Sequence, residues 1–211
     1  MNDVGVEFCF MEVSSHGIDQ FRTEGLLFKG GIFTNLSHDH LDYHKTFAAY
    51  RDVKKSFFDQ LPKTAFALIN QDDKNSQLMV QNTNAKIYTY SLKNHSNYRV
   101  NILENQFKGL LLKINDSDIW TRLIGAFNAY NLAAIFGCAD ILGMESNEVL
   151  RLMSNLKSVS GRFEFFVTDS NITVIIDYAH TPDALKNILL TIDEIRTKNE
   201  TLITVFGCGG D

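Results

Sequence analysis

The chain has 211 residues, of which 45% are hydrophobic and 21% charged, which is enough apolar material for a globular core. Its formal net charge of −5 gives no electrostatic basis for binding nucleic acid or an anionic membrane, and we expect neither as a partner. No apolar run approaches the roughly 20 residues that a membrane span requires. Cys9, Cys138 and Cys208 are odd in number and form no C-x-x-C pair, which favours buried thiols in a reducing cytoplasm.

The first predicted element is a strand over residues 6–13. Its sequence, VEFCFMEV, is a nearly continuous apolar run, which is typical of a strand covered on both faces in a parallel sheet. A second short apolar run at residues 32–33 predicts a strand that leads into Asn35. The ends of the two strands would be neighbours, which would bring Glu12 towards His40. A buried carboxylate requires a partner or a cation; the structural alternative for Glu12 is to cap a nearby helix.

The stretch of residues 31–54 concentrates metal-capable side chains directly after the second predicted strand. Within seven residues it carries five such side chains: His38, Asp39, His40, Asp42 and His44. An amphipathic helix is predicted to follow, from about residue 46 to residue 61. Because α/β proteins place their chemistry at the carboxyl ends of strands, this turn is the first candidate site. A solvated loop that happens to be rich in His and Asp is the alternative.

One reading of this turn is a metal-dependent hydrolase. The sequence His38-x-His40-x-Asp42 begins like the H-x-H-x-D-H motif of metallo-β-lactamase-type hydrolases, and imidazole-rich ligand sets suit zinc. The next ligand position holds Tyr43, however, and His44 comes one residue too late. The spacing therefore argues against this class.

The middle of the chain is rich in predicted strands and poor in reactive side chains. Strands are predicted over residues 65–70, 86–91, 98–104, 109–114 and 119–123. Helices are predicted over residues 74–81, 125–142 and 145–156. The polar turn at residues 115–118 makes the last two strands a hairpin. Asn128 and Asn131 lie near the start of their helix, where amides either bind the edge of a heterocycle or cap and solvate the helix.

A second α/β unit is predicted to begin after a linker at residues 158–161. Strands are expected over residues 163–168, 172–176 and 202–206. Between the last two, Thr181 is a good N-cap with Pro182 at the first helical position. This β-α-β pattern predicts a boundary between units 1–159 and 160–211. A unit of about fifty residues is short for a complete domain, so we expect a fragment.

Seven segments, in order and spacing, resemble the Mur ligase family. They are MEVSSHGIDQFR, FTNLSHDHLDYH, AYRDVKKSFF, GAFNAYNLAA, GRFE, DYAHTPDAL and VFGCGGD. Within that family they are most similar to the members that add the third residue of the peptidoglycan stem peptide. The resemblance implies an α/β fold: a mainly parallel sheet of a P-loop-type central ATPase domain, partial and with a β-rich insertion, in residues 1–159, and the start of a Rossmann-like ligase domain in residues 160–211.

The resemblance also implies an activity. Family members use ATP and Mg²⁺ to convert a carboxylate of the substrate into an acyl phosphate, which the incoming amine attacks to form an amide. The expected substrates are UDP-MurNAc-L-Ala-D-Glu and a diamino acid, either meso-diaminopimelate or L-lysine. A cytoplasmic monomer is expected.

The metal-binding and catalytic residues implied by the resemblance are Glu12, His40 and Lys54. Lys54 would be N-carboxylated, which turns a cation that repels Mg²⁺ into an oxygen ligand. The adjacent Lys55 is easily mistaken for it, and the spacing from DHLDYH favours Lys54.

The implied ligand contacts come from two further groups of residues. The UDP-MurNAc-peptide would be held by Ser14, Gln20 and Arg22. ATP would be held by Asn128 and Asn131 beside the adenine, Arg162 on phosphate, Asp177 on ribose and His180 beside the base. The resemblance implies no role for His16, His38 or His44.

The main departure from the family is a missing phosphate-binding loop. No G-x-x-G-K-[ST] pattern, which cradles the β- and γ-phosphates, occurs in the 211 residues. We therefore expect this fragment to be inactive alone. The alternative to a piece of a ligase is a non-catalytic protein that keeps a nucleotide- or muropeptide-binding surface.

Overall fold

The computed structural model describes residues 5–37 and 41–207. The first part of the chain contains six strands: β1 (Gly30–Phe33), β2 (Phe66–Asn70), β3 (Lys86–Ser91), β4 (Tyr98–Gln106), β5 (Gly109–Ile114) and β6 (Ser117–Thr121). Its helices are α1 (Ser15–Asp19), α2 (Leu41–His44), α3 (Phe47–Asp59), α4 (Ser76–Met79), α5 (Ala126–Ile141) and α6 (Ser146–Ser154). The second part contains β7 (Glu164–Val167), β8 (Thr173–Ile176) and α7 (Pro182–Ile195).

The six strands form one mixed sheet in the order β1-β2-β3-β4-β5-β6. The first three pairings, from β1 to β4, are parallel, and the β4–β5 and β5–β6 pairings are antiparallel. The predicted α/β fold with a mainly parallel sheet and a β-rich part is confirmed, as is the predicted hairpin, which is β5–β6. None of the helices in the described residues combines the length and hydrophobicity needed to cross a bilayer.

Helices cover both faces of the parallel part of the sheet. All five residues of β2 are buried, and their side chains alternate between two cores. Leu68 packs in a core with Leu132 of α5, and Ile69 packs in a second core with Phe58 of α3. The predicted apolar runs thus correspond to strands buried on both sides.

The predicted caps are present at the starts of α3, which carries Lys54, and of α7. Thr46 precedes α3, and its hydroxyl accepts a hydrogen bond from the Ala49 amide at 3.1 Å. Thr181 precedes α7 and accepts from the Ala184 amide at 3.3 Å, with Pro182 at the first helical position. Both helix starts confirm the predictions.

The predicted strand at residues 6–13 is wrong. This segment is in no sheet, and β1 is the edge strand. Phe10 is 74% exposed and Phe8 57%. A strand with apolar side chains on both faces is stable only when both faces are covered. Among the described residues, nothing covers the outer side of this segment. Cys9 is consequently exposed, contrary to the expectation of buried thiols, whereas Cys138 is buried and Cys208 lies outside the described residues.

The predicted strand at residues 202–206 is also wrong. Its apolar side chains are exposed, with Val205 at 93% and Ile203 at 79%. The two strands before it pair antiparallel with each other as a two-stranded sheet, so the predicted β-α-β unit is not completed. A strand without a partner for its backbone groups gains nothing from an apolar sequence alone.

The start of α5 is tied to the sheet by Asp72, in the turn after β2. The Asp72 carboxylate accepts hydrogen bonds from Ser91 Oγ at 2.6 Å, from the Leu92 amide at 2.8 Å and from Tyr130 Oη of α5 at 2.9 Å. Further donors are the Lys93 amide and Asn94 Nδ2. Burial acts to raise the pKa of Asp72, but these hydrogen bonds, led by that from Ser91, outweigh it and lower the pKa to about 2.

We predict that Asp72→Asn lowers the free energy of unfolding by about 2 kcal/mol near pH 7, because the amide replaces a charged acceptor. The pKa of Asp72 is lower in the folded state than its ordinary value of 3.8, so its stabilising contribution is present above that value and is lost as the pH falls towards 2. Thermal melts from pH 6 to pH 2.5 should therefore show the difference between wild type and mutant shrinking with acid. The exposed Asp118 supplies the control, Asp118→Asn. A difference that is constant over this pH range would contradict the prediction.

Candidate functional site

A cleft of about 580 Å³ runs along the edge strand β1. It is lined by residues 8–15 on one side and residues 28–35 on the other, with Lys54 of α3 reaching in. We call it the β1 cleft. Its polar lining includes Glu12, Ser14, Ser15, Thr34, Asn35 and Lys54. Three residues that the sequence singles out, Glu12, Ser14 and Lys54, therefore face one space.

The inner wall of the β1 cleft is held by hydrogen bonds at the carboxyl end of the sheet. Asn70 Nδ2 donates to the Thr34 carbonyl at 2.8 Å, and Asp73 Oδ2 accepts from the Leu36 amide at 3.0 Å. Tyr90 Oη donates to the Phe33 carbonyl at 3.1 Å. These bonds fix the path of the chain as it leaves β1, immediately before the His/Asp-rich turn.

The outer wall changes the interpretation of two residues. Ser14 is the N-cap of α1, and its hydroxyl accepts from the Gly17 amide at 3.1 Å. Ser14, and not Glu12, therefore caps α1, and the exposed Glu12 side chain lines the cleft. Gln20 and Arg22 lie exposed beyond α1, where Arg22 Nη2 donates to Gln20 Oε1 at 2.6 Å. Neither of them lines the cleft.

The structure separates the two adjacent lysines of α3. Lys55 is buried, and its ammonium lies 2.7 Å from both carboxylate oxygens of Asp59, one helical turn further on. Lys54 is half-buried and points into the β1 cleft, with Nζ 5.7 Å from the centroid of the Tyr50 ring. Lys55 is committed to an ion pair, and Lys54 is the lysine that a ligand in the cleft would meet.

Two histidines without a predicted role belong to an aromatic cluster beside Lys54. The ring of His16 lies 4.1 Å from that of Tyr43, and the buried His44 ring lies 5.5 Å from that of Tyr50. Tyr43 Oη also donates to Asp19 at 2.7 Å, a hydrogen bond that raises the pKa of Tyr43. The cluster joins α1, α2 and α3. Its only sequence signal is the density of His and Tyr in residues 16–50, which does not reveal the pairing.

Asn128 and Asn131 lie on the first turns of α5. Asn128 Nδ2 donates to the Ile124 carbonyl at 2.8 Å, and its Oδ1 accepts from Asn131 Nδ2 at 3.3 Å. Asn128 is therefore engaged in local structure, as the capping alternative requires, whereas Asn131 is exposed. Cys138, ten residues further along α5, lines the β1 cleft. Asn128 therefore lies roughly 15 Å from that cleft along the helix.

The remaining predicted residues form a second group at the start of the second sheet. Asp177 Oδ2 accepts from the Phe163 amide at 2.7 Å, and its Oδ1 accepts from the Ala179 amide at 2.8 Å. The guanidinium of Arg162 lies 5.1 Å from the centroid of the Tyr178 ring. His180 is exposed, with its ring 5.0 Å from that of Tyr178. The structure brings Arg162, Asp177 and His180 together.

Aromatic and aliphatic packing connects this group to the start of α5. The ring of Phe127 lies 5.7 Å from that of Phe163, which directly follows Arg162. Ile124, Phe163 and Ile192 of α7 share a small buried core. The predicted nucleotide residues from α5 and from the second sheet thus flank one packed contact, while Glu12 and Lys54 lie in the separate β1 cleft.

Two family models match this chain. The model described as "Mur ligase middle domain" matches residues 1–139, and the model described as "Mur ligase, glutamate ligase domain" matches residues 161–211. The chain belongs to the Mur ligase family.

Relatives from the Mur ligase family align with this chain over its whole length. A Phocaeicola vulgatus protein named UDP-N-acetylmuramoyl-L-alanyl-D-glutamate--2,6-diaminopimelate ligase is 52% identical over all 211 residues, which are 44% of its own length. A protein of the same name from Geobacillus thermodenitrificans is 39% identical over 100% of this chain and 45% of that protein. A solved structure with this name has 33% identity and a TM-score of 0.74, over 94% of this chain and 42% of the other. The chain spans less than half the length of these relatives.

The donor chemistry of the β1 cleft suits the Mg²⁺ that Mur ligases use. Glu12 offers carboxylate oxygens, and N-carboxylation of Lys54 would add two more, which are the hard ligands that Mg²⁺ prefers. Within residues 5–37 and 41–207, no group of three or more His, Cys, Asp and Glu side chains is placed to hold a metal ion. The third predicted ligand, His40, lies outside the described residues, as does His38. Among the described residues, Glu12 and a carboxylated Lys54 would be the oxygen donors for a metal in this cleft.

We predict that replacement by methionine lowers the free energy of unfolding of this Mur ligase chain more at Lys55 than at Lys54. Lys55→Met leaves Asp59 without its partner and should lower the free energy of unfolding by about 1–2 kcal/mol. Lys54→Met keeps the aliphatic stem, and because Lys54 is more exposed than Lys55, solvent weakens the contacts of its ammonium group, so the free energy of unfolding should change by about 0.5 kcal/mol or less. Urea denaturation measures both. Equal losses would show that Lys54 is also a structural residue and would weaken its assignment to the cleft.

Proposed function

We propose that this chain is part of an ATP-dependent ligase that joins meso-diaminopimelate to UDP-MurNAc-L-Ala-D-Glu. The observation that carries the proposal is 52% identity across all 211 residues to a relative named for that reaction. L-Lysine is the competing amino acid, because the two diamino acids differ in one carboxylate. We assign the reaction to two units, residues 1–159 and 160–211, which together would form the active site. The extents of the two family models, 1–139 and 161–211, support this division.

The proposed reaction has two steps. A carboxylate oxygen of the D-Glu residue attacks the γ-phosphorus of ATP, and ADP leaves, which forms an acyl phosphate. The amine of the diamino acid then attacks the acyl carbon, the C–O bond to phosphate breaks, and the amide forms with loss of a proton from nitrogen. Mg²⁺ bound by Glu12, His40 and carboxylated Lys54 would neutralise charge on the transferring phosphoryl group.

Two sets of residues would hold the substrates. Ser14, Gln20 and Arg22 are assigned to the UDP-MurNAc-dipeptide; the position of Ser14 in the β1 cleft supports its role. The ATP contacts are assigned to Asn128, Asn131, Arg162, Asp177 and His180. Their grouping around the Phe127–Phe163 contact supports a shared ligand. The exposure of Asn131, Arg162 and His180 leaves their polar atoms accessible to it.

A non-catalytic binding role is the second candidate. The observation that favours it is the lack of a G-x-x-G-K-[ST] pattern in the 211 residues. We propose that these 211 residues alone do not form the amide.

The ligase proposal is tested with the protein translated from the gene together with any coding sequence that flanks these residues. We expect release of phosphate and formation of the tripeptide only when ATP, Mg²⁺, UDP-MurNAc-L-Ala-D-Glu and meso-diaminopimelate are all present, with mass spectrometry of the product. Turnover with L-lysine but not with meso-diaminopimelate would change the proposed substrate. Ligation by residues 1–211 alone would refute their proposed inactivity, and no ligation by the protein with its flanking sequence would leave only the binding role.

Lys54 is tested in the same assay with a pair of matched variants. Lys54→Arg keeps the positive charge but cannot be carboxylated, so we expect the ligation rate to fall roughly 100-fold or more. Lys55→Arg keeps the ion pair with Asp59 and should retain activity within about threefold. Equal loss in both variants, or no loss in Lys54→Arg, would contradict the assignment.

A further inference from the structure

The turn after β8 presents an exposed tyrosine that no predicted role uses. Tyr178 is 65% exposed, in the same turn as Asp177 and His180. The Arg162 guanidinium lies over its ring at 5.1 Å, within the range of a cation–π interaction. The His180 ring lies 5.0 Å away at an angle of 60°. The exposed Tyr178 ring therefore has the Arg162 guanidinium over its face.

The backbone on both sides of this pair is held rigid by short hydrogen bonds. Asp177 bridges the Phe163 amide, at 2.7 Å, and the Ala179 amide, at 2.8 Å. The Tyr178 amide donates to the Gly161 carbonyl at 2.8 Å. Hydrogen bonds thus join the two chain segments directly beside Arg162 and at Tyr178. They fix the backbone positions from which the ring and the guanidinium meet.

We propose that Tyr178 is a positioning residue that holds Arg162 ready to bind an anionic phosphate group. An exposed arginine loses much rotamer freedom when it binds a ligand. Stacking on the Tyr178 ring removes part of that freedom beforehand, while the edge of the guanidinium keeps its N–H donors available for phosphate. A flat aromatic face satisfies this need, and the phenolic hydroxyl is not required. The proposal rests on the phosphate contact proposed for Arg162.

The stacking itself is tested by NMR on the 211-residue chain. A guanidinium over a ring face has its Nε–H and Cδ–H protons shifted upfield by the ring current. We expect this shift for Arg162 in wild type and in Tyr178→Phe, and its loss in Tyr178→Leu, with the resonances assigned from Arg162→Lys. Tyr88→Leu is the matched control, since the Tyr88 ring carries a different cation, Lys86, at 4.9 Å. Arg162 shifts that are the same in wild type and Tyr178→Leu would overturn the proposal.

The consequence for binding is tested by titrating ADP and Mg²⁺ into the same variants, made in the protein that includes any coding sequence flanking these residues. We expect the dissociation constant to rise about three- to tenfold in Tyr178→Leu and to return close to the wild-type value in Tyr178→Phe. Tyr178→Leu that binds ADP as tightly as wild type would overturn the positioning role even if the ring-current shift is present. If the wild-type protein with its flanking sequence does not bind ADP, the proposed nucleotide contacts fail, and the ring-current comparison decides separately whether Tyr178 holds Arg162.

Discussion

The polar turn after β2 holds together the parts of the molecule on which both candidate sites depend. Asn70 and Asp73 fasten the chain where it leaves β1, and Asp72 fastens the start of α5 through Tyr130. One wall of the β1 cleft and the helix that carries Asn131 therefore share a single support. Burial makes these groups costly unless every polar atom finds a partner, and the five donors around Asp72 meet that requirement.

The sequence predicts best the elements whose stability is local or whose burial is complete. Periodicity and the caps Thr46 and Thr181 place α3 and α7 to within about two residues. The runs at β2 and β3 are strands because each has a strand on both sides. Residues 6–13 and 202–206 have the same apolar character and yet form no strand. Strand formation requires a partner backbone, and a sequence pattern does not specify whether that partner is present.

The candidate site was predictable only where residue chemistry and spacing sufficed. The spacing from the His/Asp-rich turn favours Lys54 over Lys55 as the lysine of the site. The structure agrees with this choice, because Lys55 forms an ion pair with Asp59. The clustering of Arg162, Asp177 and His180 agrees with their assignment to one ligand. The contact between Tyr178 and Arg162 was not predicted because the two residues are sixteen positions apart and leave no local sequence pattern. Their contact depends on how the antiparallel β7–β8 pairing aligns the two segments.

The distance between the two groups constrains any mechanism that uses both. Helix α5 contributes Asn131 near one end and Cys138 of the β1 cleft near the other, and it is rigidly packed on the sheet along its length. A nucleotide that contacts Asn131 with its base, Asp177 with its ribose and Arg162 with a phosphate would have to extend its remaining phosphates along this helix towards Lys54. In that arrangement, the second unit would orient the nucleotide from the side of α5. The contact of Phe127 with Phe163 joins the two units at the point where that orientation would be set.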